Sequence, residues 1–259
     1  MGVPDFYRIG RVPIHLVTVT GVRDAVNEAI SEGRKGYICV SNMRTVSLAQ
    51  KDDSYWEVME RSLMNTPDGT PLVWCGKLWG LRQAERVAGP DLFLSLLRTS
   101  LPQFFLGDTD EVLSRLTEHV RLKYGTPVAG MFSPPFAPID SYDMQDLAAR
   151  IRQSGARLVW LSLRAPKQDF LASRLLPLLP DGVVCIGVGA AFRVEIGDLK
   201  MERGVWQRIG LGGFRMIRNS SVWKEFKWYV SHTFILIKFM GQILFRRLTG
   251  VKHNHGIQR

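Results

Sequence analysis

The segment between Asn42 and Asp91 contains the side chains best suited to chemistry. It includes the turn tripeptide Pro67–Asp68–Gly69 and, further on, ERVAGPD (85–91) with Arg86. A carboxylate such as that of Asp68 can accept a proton, and a guanidinium such as that of Arg86 can bind a phosphate. From residue type alone, Asp68 is equally well explained as a turn or helix-capping residue, and Arg86 as a surface cation.

Glycine-containing segments follow two of the apolar runs. GVGA (187–190), with Gly187 and Gly189, could turn the backbone toward a phosphate, and LGD (106–108) could do the same. Neither segment is specific alone. The sequence contains no P-loop, no G-x-G-x-x-G fingerprint, no G-x-S-x-G nucleophile elbow and no H-E-x-x-H zinc motif, so none of those enzyme classes is indicated.

Short apolar runs alternate with helical patterns through the first 200 residues. The runs predict buried strands at GYICVS (36–41), QFFLG (103–107), VAGMF (128–132), RLVWLSL (157–163) and VVCIGVG (183–189). The alternation predicts an α/β protein with a Rossmann-like, mostly parallel sheet and flanking helices. Such sheets bind ligands beyond the carboxyl ends of their strands, so the loops after the strands should hold the chemistry.

Helix boundaries are indicated by capping residues. We predict a helix over 109–125 with Thr109 as N-cap and Gly125 as its end, and a helix over 140–155 that begins at Asp140. A third helix should have Pro166 at its first position and continue to Leu179.

Composition excludes several protein classes. Hydrophobic residues make up 46% and charged residues 22% of the 259 residues, which are globular values and exclude disordered, collagen-like and coiled-coil chains. The three cysteines, Cys39, Cys75 and Cys185, are far apart, so a disulfide framework and a thiolate zinc site are not expected and a reducing cytosol fits. The N-terminal residues MGVPDFYRIG do not have the apolar stretch of a secretory signal.

The net charge of +10 is concentrated at the C-terminal end of the sequence. Residues 203–259 carry 11 Lys and Arg against a single acid, Glu225, whereas residues 1–202 carry 23 of each sign. We therefore predict a catalytic α/β domain over 1–202 and a basic helical appendage over 203–259. A basic segment of this kind usually has an anionic partner, although a solvated, solubilising end is the alternative.

The residues from Ser221 to Thr249 predict an amphipathic helix with a basic stripe. The apolar window 228–245 is interrupted by Lys238, which argues against a membrane-spanning helix. Basic and aromatic residues together favour a helix lying in the interface of an anionic membrane, and packing against the protein's own domain is the alternative. Nucleic-acid binding is not expected, because the aromatic residues are mixed with aliphatic ones rather than arranged as stacking platforms.

Six motifs follow one another in a defined order. Asn42 comes after the first predicted strand of the sheet, PDG follows with Asp68 26 residues later, and RVAGPDL begins 18 residues further on at Arg86. They are followed by GMFSPPF (130–136), RAPKQDF (164–170) and IGVGAAF (186–192). In these motifs and their order, the chain resembles the bacterial WecG/TagA/CpsF family of glycosyltransferases over about residues 8–230.

The resemblance implies an inverting transfer of a hexose or N-acetylhexosamine from a UDP-sugar to a polyprenyl-diphosphate-linked saccharide. It implies that Asp68 is the catalytic base and that Arg86 stabilises the departing diphosphate. The substrate-binding residues implied by the same motifs, and by the basic tail, are Asn42, Gln168, Gly187, Gly189, Arg215 and Arg218. The family lacks the D-x-D metal motif of the large glycosyltransferase folds, so neither a divalent metal nor another cofactor is expected.

The resemblance also implies a place in the cell. The enzyme would be cytoplasmic and peripheral on the inner face of the cell membrane, where the basic tail docks and exopolysaccharide, capsule or cell-wall polymer is made. A homo-oligomer is left open. A non-catalytic UDP-sugar-binding or membrane-docking partner of a polysaccharide assembly complex is the alternative function. Another nucleotide-binding α/β enzyme would need a glycine-rich fingerprint after the first strand, and SNMRT (41–45) is not one.

The sequence departs from the family pattern at three places. Val40 stands where family members usually have Thr, Arg193 replaces an Asp often found after the IGVGAAF motif, and an acidic residue is missing from GLGGFRMIRN (210–219). Founding members of the family transfer N-acetylmannosamine sugars. The departures touch expected sugar or nucleotide contacts, so another UDP-hexose donor is an open alternative.

Overall fold

The computed structural model describes residues 4–200 and position 241. The predicted appendage over 203–259, with its amphipathic helix, Arg215 and Arg218, lies outside the described residues apart from that one position. Among the residues described, no helix combines the length and apolar character needed to cross a membrane.

Strands and helices alternate along residues 4–200, as predicted. The strands are β1 (Phe6–Ile9), β2 (Val12–His15), β3 (Gly36–Ser41), β4 (Met64–Pro67), β5 (Gln103–Gly107), β6 (Val128–Phe132), β7 (Leu158–Ser162) and β8 (Val184–Gly187). The α-helices are α1 (Val19–Ser31), α2 (Met43–Ala49), α3 (Asp53–Glu60), α4 (Thr70–Leu78), α5 (Gly89–Leu97), α6 (Asp110–Tyr124), α7 (Met144–Ser154), α8 (Lys167–Leu175) and α9 (Ala191–Glu195).

Six of these strands form one sheet in the order β4-β3-β8-β7-β5-β6, and all of its neighbouring pairs are parallel. The predicted α/β class and the five predicted strands are confirmed. Two features were not predicted from the sequence: β4, whose four residues MNTP have no apolar pattern, and the antiparallel β1–β2 hairpin.

The β1–β2 hairpin lies beside the edge strand β4. His15 of β2 is buried, and its Nδ1 accepts a hydrogen bond of 3.0 Å from the backbone N–H of Asn65 in β4. Burial lowers the pKa of His15 to about 4, so the ring is neutral and able to accept this bond at neutral pH. An imidazole therefore takes the place of a backbone carbonyl at the outer side of β4.

Apolar residues alternate between the two faces of the sheet, and each face has its own core. Cys39 of β3 faces the core that contains α2, α3, α7 and α8, whereas Ile38 faces the core that contains α1, α5, α6 and α9. The neighbouring strands β3 and β8 are followed by helices on opposite faces, α2 and α9. A crevice opens at such a switch point beyond the carboxyl ends of the strands.

Three predicted helix ends, at Thr109, Gly125 and Gly155, are confirmed, whereas the predicted start of α7 and both predicted limits of α8 are wrong. Thr109 caps α6 by accepting a hydrogen bond from the Val112 N–H, and Gly125 ends it with a left-handed φ of 67°. The predicted start of α7 at Asp140 is wrong. Asp140 lies in a separate 3-10 turn, and Asp143 is the N-cap because its side chain accepts from the N–H of Asp146. Both aspartates carry the same capping signal, but the Asp140 carboxylate accepts a hydrogen bond from Arg174 instead of capping a helix.

The predicted limits of α8 are also corrected. Pro166 is the N-cap rather than the first helical residue, and the α-helix ends at Leu175. The chain continues as a 3-10 turn over Leu176–Leu178, where the proline at position 177 has no N–H to extend the α-helical pattern. The three cysteines are free and buried.

Trp160 allows a test of the core. Its fully buried indole donates a hydrogen bond of 2.7 Å to Gln103 Oε1 and meets Phe93 edge to face. We expect Trp160→Phe to lower the free energy of unfolding by about 1–3 kcal/mol, because it leaves the buried Gln103 oxygen without a donor. Denaturant unfolding measures the loss. Trp56→Phe is the control, since Trp56 is half-buried and water can replace its bond to the Arg11 carbonyl; an equal loss there would contradict this explanation.

Candidate active site

Several predicted site residues lie together where the strands β4, β3 and β8 end, along what is called here the carboxyl edge of the sheet. Asp68 follows β4, Asn42 follows β3, and Gly187 and Gly189 lie at the end of β8. Neighbouring strands are about 4.8 Å apart, so these positions span roughly 10 Å along the edge. That length is suited to a ligand with several polar groups.

Asp68 and Arg86 form an ion pair at the outer end of this edge. The Arg86 Nη2 donates a hydrogen bond of 2.9 Å to Asp68 Oδ1, and its Nε donates to the Asp68 backbone carbonyl. The Asp68 N–H donates to the Ser41 carbonyl, and the Val87 N–H to the Pro67 carbonyl. Backbone hydrogen bonds on either side of the ion pair therefore hold the turn that carries Asp68 and the segment that carries Arg86 in place. The Asp68 and Arg86 side chains are 29% and 30% exposed, which leaves each accessible to a ligand.

The pKa of Asp68 is raised above the usual aspartate value because burial disfavours the charged carboxylate, and Asp91 adds a smaller effect in the same direction. Arg86 opposes the shift through its charge and its hydrogen bond. A carboxylate with a raised pKa that remains ionised beside a cation is a better proton acceptor than a solvated one. The pair therefore combines a proton acceptor with a cation able to meet developing negative charge.

Asn42 has a clear structural role beside this pair. Its Oδ1 accepts hydrogen bonds from the N–H groups of Arg44 and Thr45, and the Thr45 side chain accepts from the Asn42 N–H, which makes a reciprocal cap of α2. A Cβ at Gly69 would lie 3.4 Å from the Cβ of Asn42. Asn42 therefore packs next to the turn that carries Asp68, and its substrate contact stays a prediction.

Gln168 supports the glycine turn after β8 from below. Its side chain is 2% exposed, and its Oε1 accepts a hydrogen bond of 3.0 Å from the Gly189 N–H. Gly189 has a left-handed φ of 57°, and its carbonyl accepts a hydrogen bond of 2.6 Å from Ser162 Oγ. Gly187 leaves no space for a side chain, since a Cβ there would lie 2.6 Å from Gln168 Nε2. Direct contact of Gln168 with a substrate stays a prediction; the contact seen is with the turn.

The departure from the family pattern at Arg193 has a structural explanation. Its guanidinium makes two hydrogen bonds, of 3.0 and 2.6 Å, to the carboxylate of Asp108 at the end of β5. The Asp108 side chain is 8% exposed and Arg193 39%. The LGD segment (106–108) is visible in the sequence, but its partner is not, because 85 residues separate the two side chains and no local signal links them.

Asp108 also begins a D-x-D triplet, Asp108–Thr109–Asp110, which the sequence contains although the family pattern has no such motif. In the structure Asp108 is bound by Arg193, Thr109 caps α6 and Asp110 lies in the first turn of that helix. Within the described part of the chain, no three His, Cys, Asp or Glu side chains gather as a possible metal centre. Independence from divalent metal stays a prediction.

A parallel sheet with helices on both faces and polar residues at its switch point defines a doubly wound α/β protein with its candidate site at the carboxyl edge. The chain belongs to the Glycosyl transferase WecG/TagA/CpsF family, which it matches over residues 7–249. The resemblance inferred from the motifs is confirmed.

A relative from Bacillus spizizenii (strain ATCC 23059 / NRRL B-14472 / W23) is 27% identical over 202 residues, which cover 76% of each chain. It is an N-acetylglucosaminyldiphosphoundecaprenol N-acetyl-beta-D-mannosaminyltransferase.

Proposed function

We propose that this protein is an inverting glycosyltransferase that moves a hexose or N-acetylhexosamine from a UDP-sugar to a polyprenyl-diphosphate-linked saccharide. The reaction takes place at the cytoplasmic face of the membrane, in the synthesis of exopolysaccharide, capsule or cell-wall polymer. The observation that carries the proposal is the Asp68–Arg86 pair at the carboxyl edge of a chain that belongs to a glycosyltransferase family.

Asp68 acts as the base. A sugar hydroxyl is a poor nucleophile, so a carboxylate must take its proton as the oxygen attacks the anomeric carbon. The new glycosidic bond forms as the bond between the anomeric carbon and the diphosphate oxygen breaks, and the proton of the hydroxyl moves to Asp68. Attack from the face opposite to UDP inverts the anomeric configuration in a single displacement.

Arg86 stabilises the departing UDP. The bond that breaks leaves negative charge on the diphosphate, which a fixed cation can offset. A guanidinium has five N–H donors, and two donor nitrogens of Arg86 already hold Asp68 in place. Among the described residues the remaining Arg86 donors have no hydrogen-bond partner, so they can meet a phosphate oxygen. The glycine turn after β8 adds backbone close to the same edge, with Asn42 and Gln168 as orienting residues.

The name of the Bacillus relative supports the assignment of the acceptor. That protein acts on an N-acetylglucosaminyl diphosphoundecaprenol, so an amino sugar on a polyprenyl diphosphate is the acceptor class proposed here. The donor is proposed only as a UDP-hexose or UDP-N-acetylhexosamine. Val40 and Arg193, which replace residues usual in the family, are the reason why N-acetylmannosamine is not specified.

The basic appendage keeps the site at the membrane in this proposal. A helix of about 27 residues would be near 40 Å long and could lie in the interface beside a lipid-linked acceptor. We expect truncation before residue 203 to leave a folded α/β domain that transfers little sugar to a lipid acceptor. Circular dichroism tests the fold and UDP release tests the transfer. Full activity of the truncated protein would contradict a role for the appendage.

The experiment that tests the proposed function is a measurement of UDP release from a panel of UDP-hexoses and UDP-N-acetylhexosamines. Membrane extract and a synthetic polyprenyl-diphosphate N-acetylglucosamine serve as acceptors. We expect release with one donor class, dependent on acceptor and unchanged by EDTA. Binding of UDP without release from any donor would favour the non-catalytic partner, and loss of release in EDTA would overturn the predicted metal independence.

A further inference from the structure

Asp169 is a buried carboxyl group that the proposed mechanism does not use. It lies in the first turn of α8, directly after Gln168, and is 2% exposed. Its Oδ2 accepts a hydrogen bond of 2.6 Å from the Tyr55 hydroxyl of α3. Its Oδ1 is buried and has no hydrogen-bond partner among the described residues. A buried carboxylate oxygen without a partner is costly, so this one needs an explanation.

The unpartnered oxygen points to the end of β8. A Cβ placed on Gly187 would lie 3.0 Å from Asp169 Oδ1 and 2.6 Å from Gln168 Nε2, so both side chains press against the same backbone. The oxygen of the same Gln168 amide accepts a hydrogen bond from the Gly189 N–H. Asp169, Gln168 and the turn from Gly187 to Gly189 therefore form one packed unit beneath the carboxyl edge.

The charges around Asp169 do not compensate an ionised carboxylate. Tyr55 faces it from α3, Cys39 and Tyr37 face it from β3, and all three are buried groups that are neutral at pH 7. No Lys, Arg or His of the described chain contributes to its pKa. Burial raises the pKa of Asp169 to about 7, although the Tyr55 hydroxyl and then Gln168 and Cys39 oppose the shift.

We propose that Asp169 is a positioning residue of the donor site, which sets the Gly187–Gly189 turn through Gln168 and makes it respond to protonation. In the protonated form the group beneath the turn is neutral. In the ionised form an uncompensated negative charge lies against Gly187, on the side of the sheet edge where the donor diphosphate would bind. This inference rests on the proposed function for its consequence in donor binding, but not for the coupling of Asp169 to the turn.

The coupling is tested on the full chain by following the backbone amide of Gly189 in proton–nitrogen correlation spectra between pH 5.5 and 8.5. We expect the wild-type resonance to shift with a midpoint near pH 7, the pKa to which burial raises Asp169. Asp169→Asn should abolish the inflection, because an amide of the same shape cannot titrate. Tyr55→Phe should move the midpoint to higher pH, because the hydroxyl stabilises the ionised carboxylate.

The control is His119→Gln, which removes an imidazole from α6, on the other face of the sheet from Asp169. The Gly189 midpoint should be unchanged in this variant. An inflection that survives Asp169→Asn, a midpoint that falls in Tyr55→Phe, or a wild-type resonance that does not titrate would each overturn the inference.

Binding of UDP tests the consequence for the site. We expect wild-type affinity for UDP to fall about three- to tenfold more than that of Asp169→Asn between pH 6 and pH 8, since ionised Asp169 opposes the diphosphate. The ionisation of UDP itself is the same for both proteins and cancels in the comparison. If neither protein binds UDP, the proposed donor is wrong, whereas the Gly189 titration still decides the coupling.

Discussion

We expect Asp68→Asn to lower kcat for sugar transfer by about 10²–10⁴-fold, which is the contribution of a positioned general base. The amide has the same shape as the carboxyl group and can still accept the Arg86 hydrogen bond, but it cannot take the proton of the attacking hydroxyl. Affinity for UDP should be kept or improved, since a negative charge is removed. Steady-state UDP release and isothermal titration with UDP measure the two quantities.

Asp110→Asn provides a matched control for this prediction. Asp110 is an exposed acid at the same edge of the sheet, in the first turn of α6, and the proposed mechanism gives it no part. Its variant should stay within about twofold of the wild-type rate, as surface substitutions usually do. A residual kcat above one tenth in Asp68→Asn would exclude Asp68 as the base while leaving the class of enzyme unchanged.

The second large effect is expected at Arg86. Arg86→Gln should lower kcat by about 10²–10³-fold, because a preorganised cation no longer meets the charge on the departing diphosphate. Arg86→Lys should restore little of this, since one ammonium cannot reproduce a fork that holds both the backbone carbonyl and the carboxylate of Asp68. Lys77→Gln, at an exposed cation of α4, is the control. If both Arg86 variants were as active as this control, the assignment of Arg86 would be contradicted.

The pH profile of Arg86→Gln provides a separate test of Asp68 as the base. The Arg86 charge holds down the pKa of Asp68, which burial alone would raise further. Removal of the cation therefore raises this pKa, and the base is protonated at a higher pH than in the wild type. The acidic limb of the kcat/KM profile should move to higher pH. A limb that stays in place would show that Asp68 is not the group titrating there.

The sequence was sufficient to predict a helix end where only one capping residue was present nearby. Thr109 and Gly125 set the ends of α6 because a side-chain oxygen and a left-handed glycine act within one turn of the chain. Asp140 and Asp143 carry the same signal three residues apart, and tertiary packing decides between them. The edge strand β4 has no apolar alternation to reveal it, since it is defined by its pairing with β3.

The sequence predicted which residues belong to the candidate site but not how they contact one another. Their roles were indicated by the family resemblance rather than by their spacing. The Asp68–Arg86 ion pair, the cap formed by Asn42 and the support of Gly189 by Gln168 are all three-dimensional contacts that the sequence did not predict. The buried environment of Asp169 also depends on a helix and a strand from distant parts of the chain. Such contacts across 85 or more residues leave no periodicity in the sequence.

The bond between His15 and Asn65 makes the edge strand that leads to Asp68 sensitive to acid. The pKa of His15 is about 4 in the folded protein and near 6.5 in an unfolded chain, so the folded state binds fewer protons between these values. The stability that the neutral ring contributes is complete above about pH 6.5 and is lost as the pH falls through 4. A protonated Nδ1 cannot accept the Asn65 N–H, and the outer side of β4 then loses this tie to the hairpin. Acid exposure would therefore loosen β4, the strand that leads to Asp68, from the N-terminal hairpin.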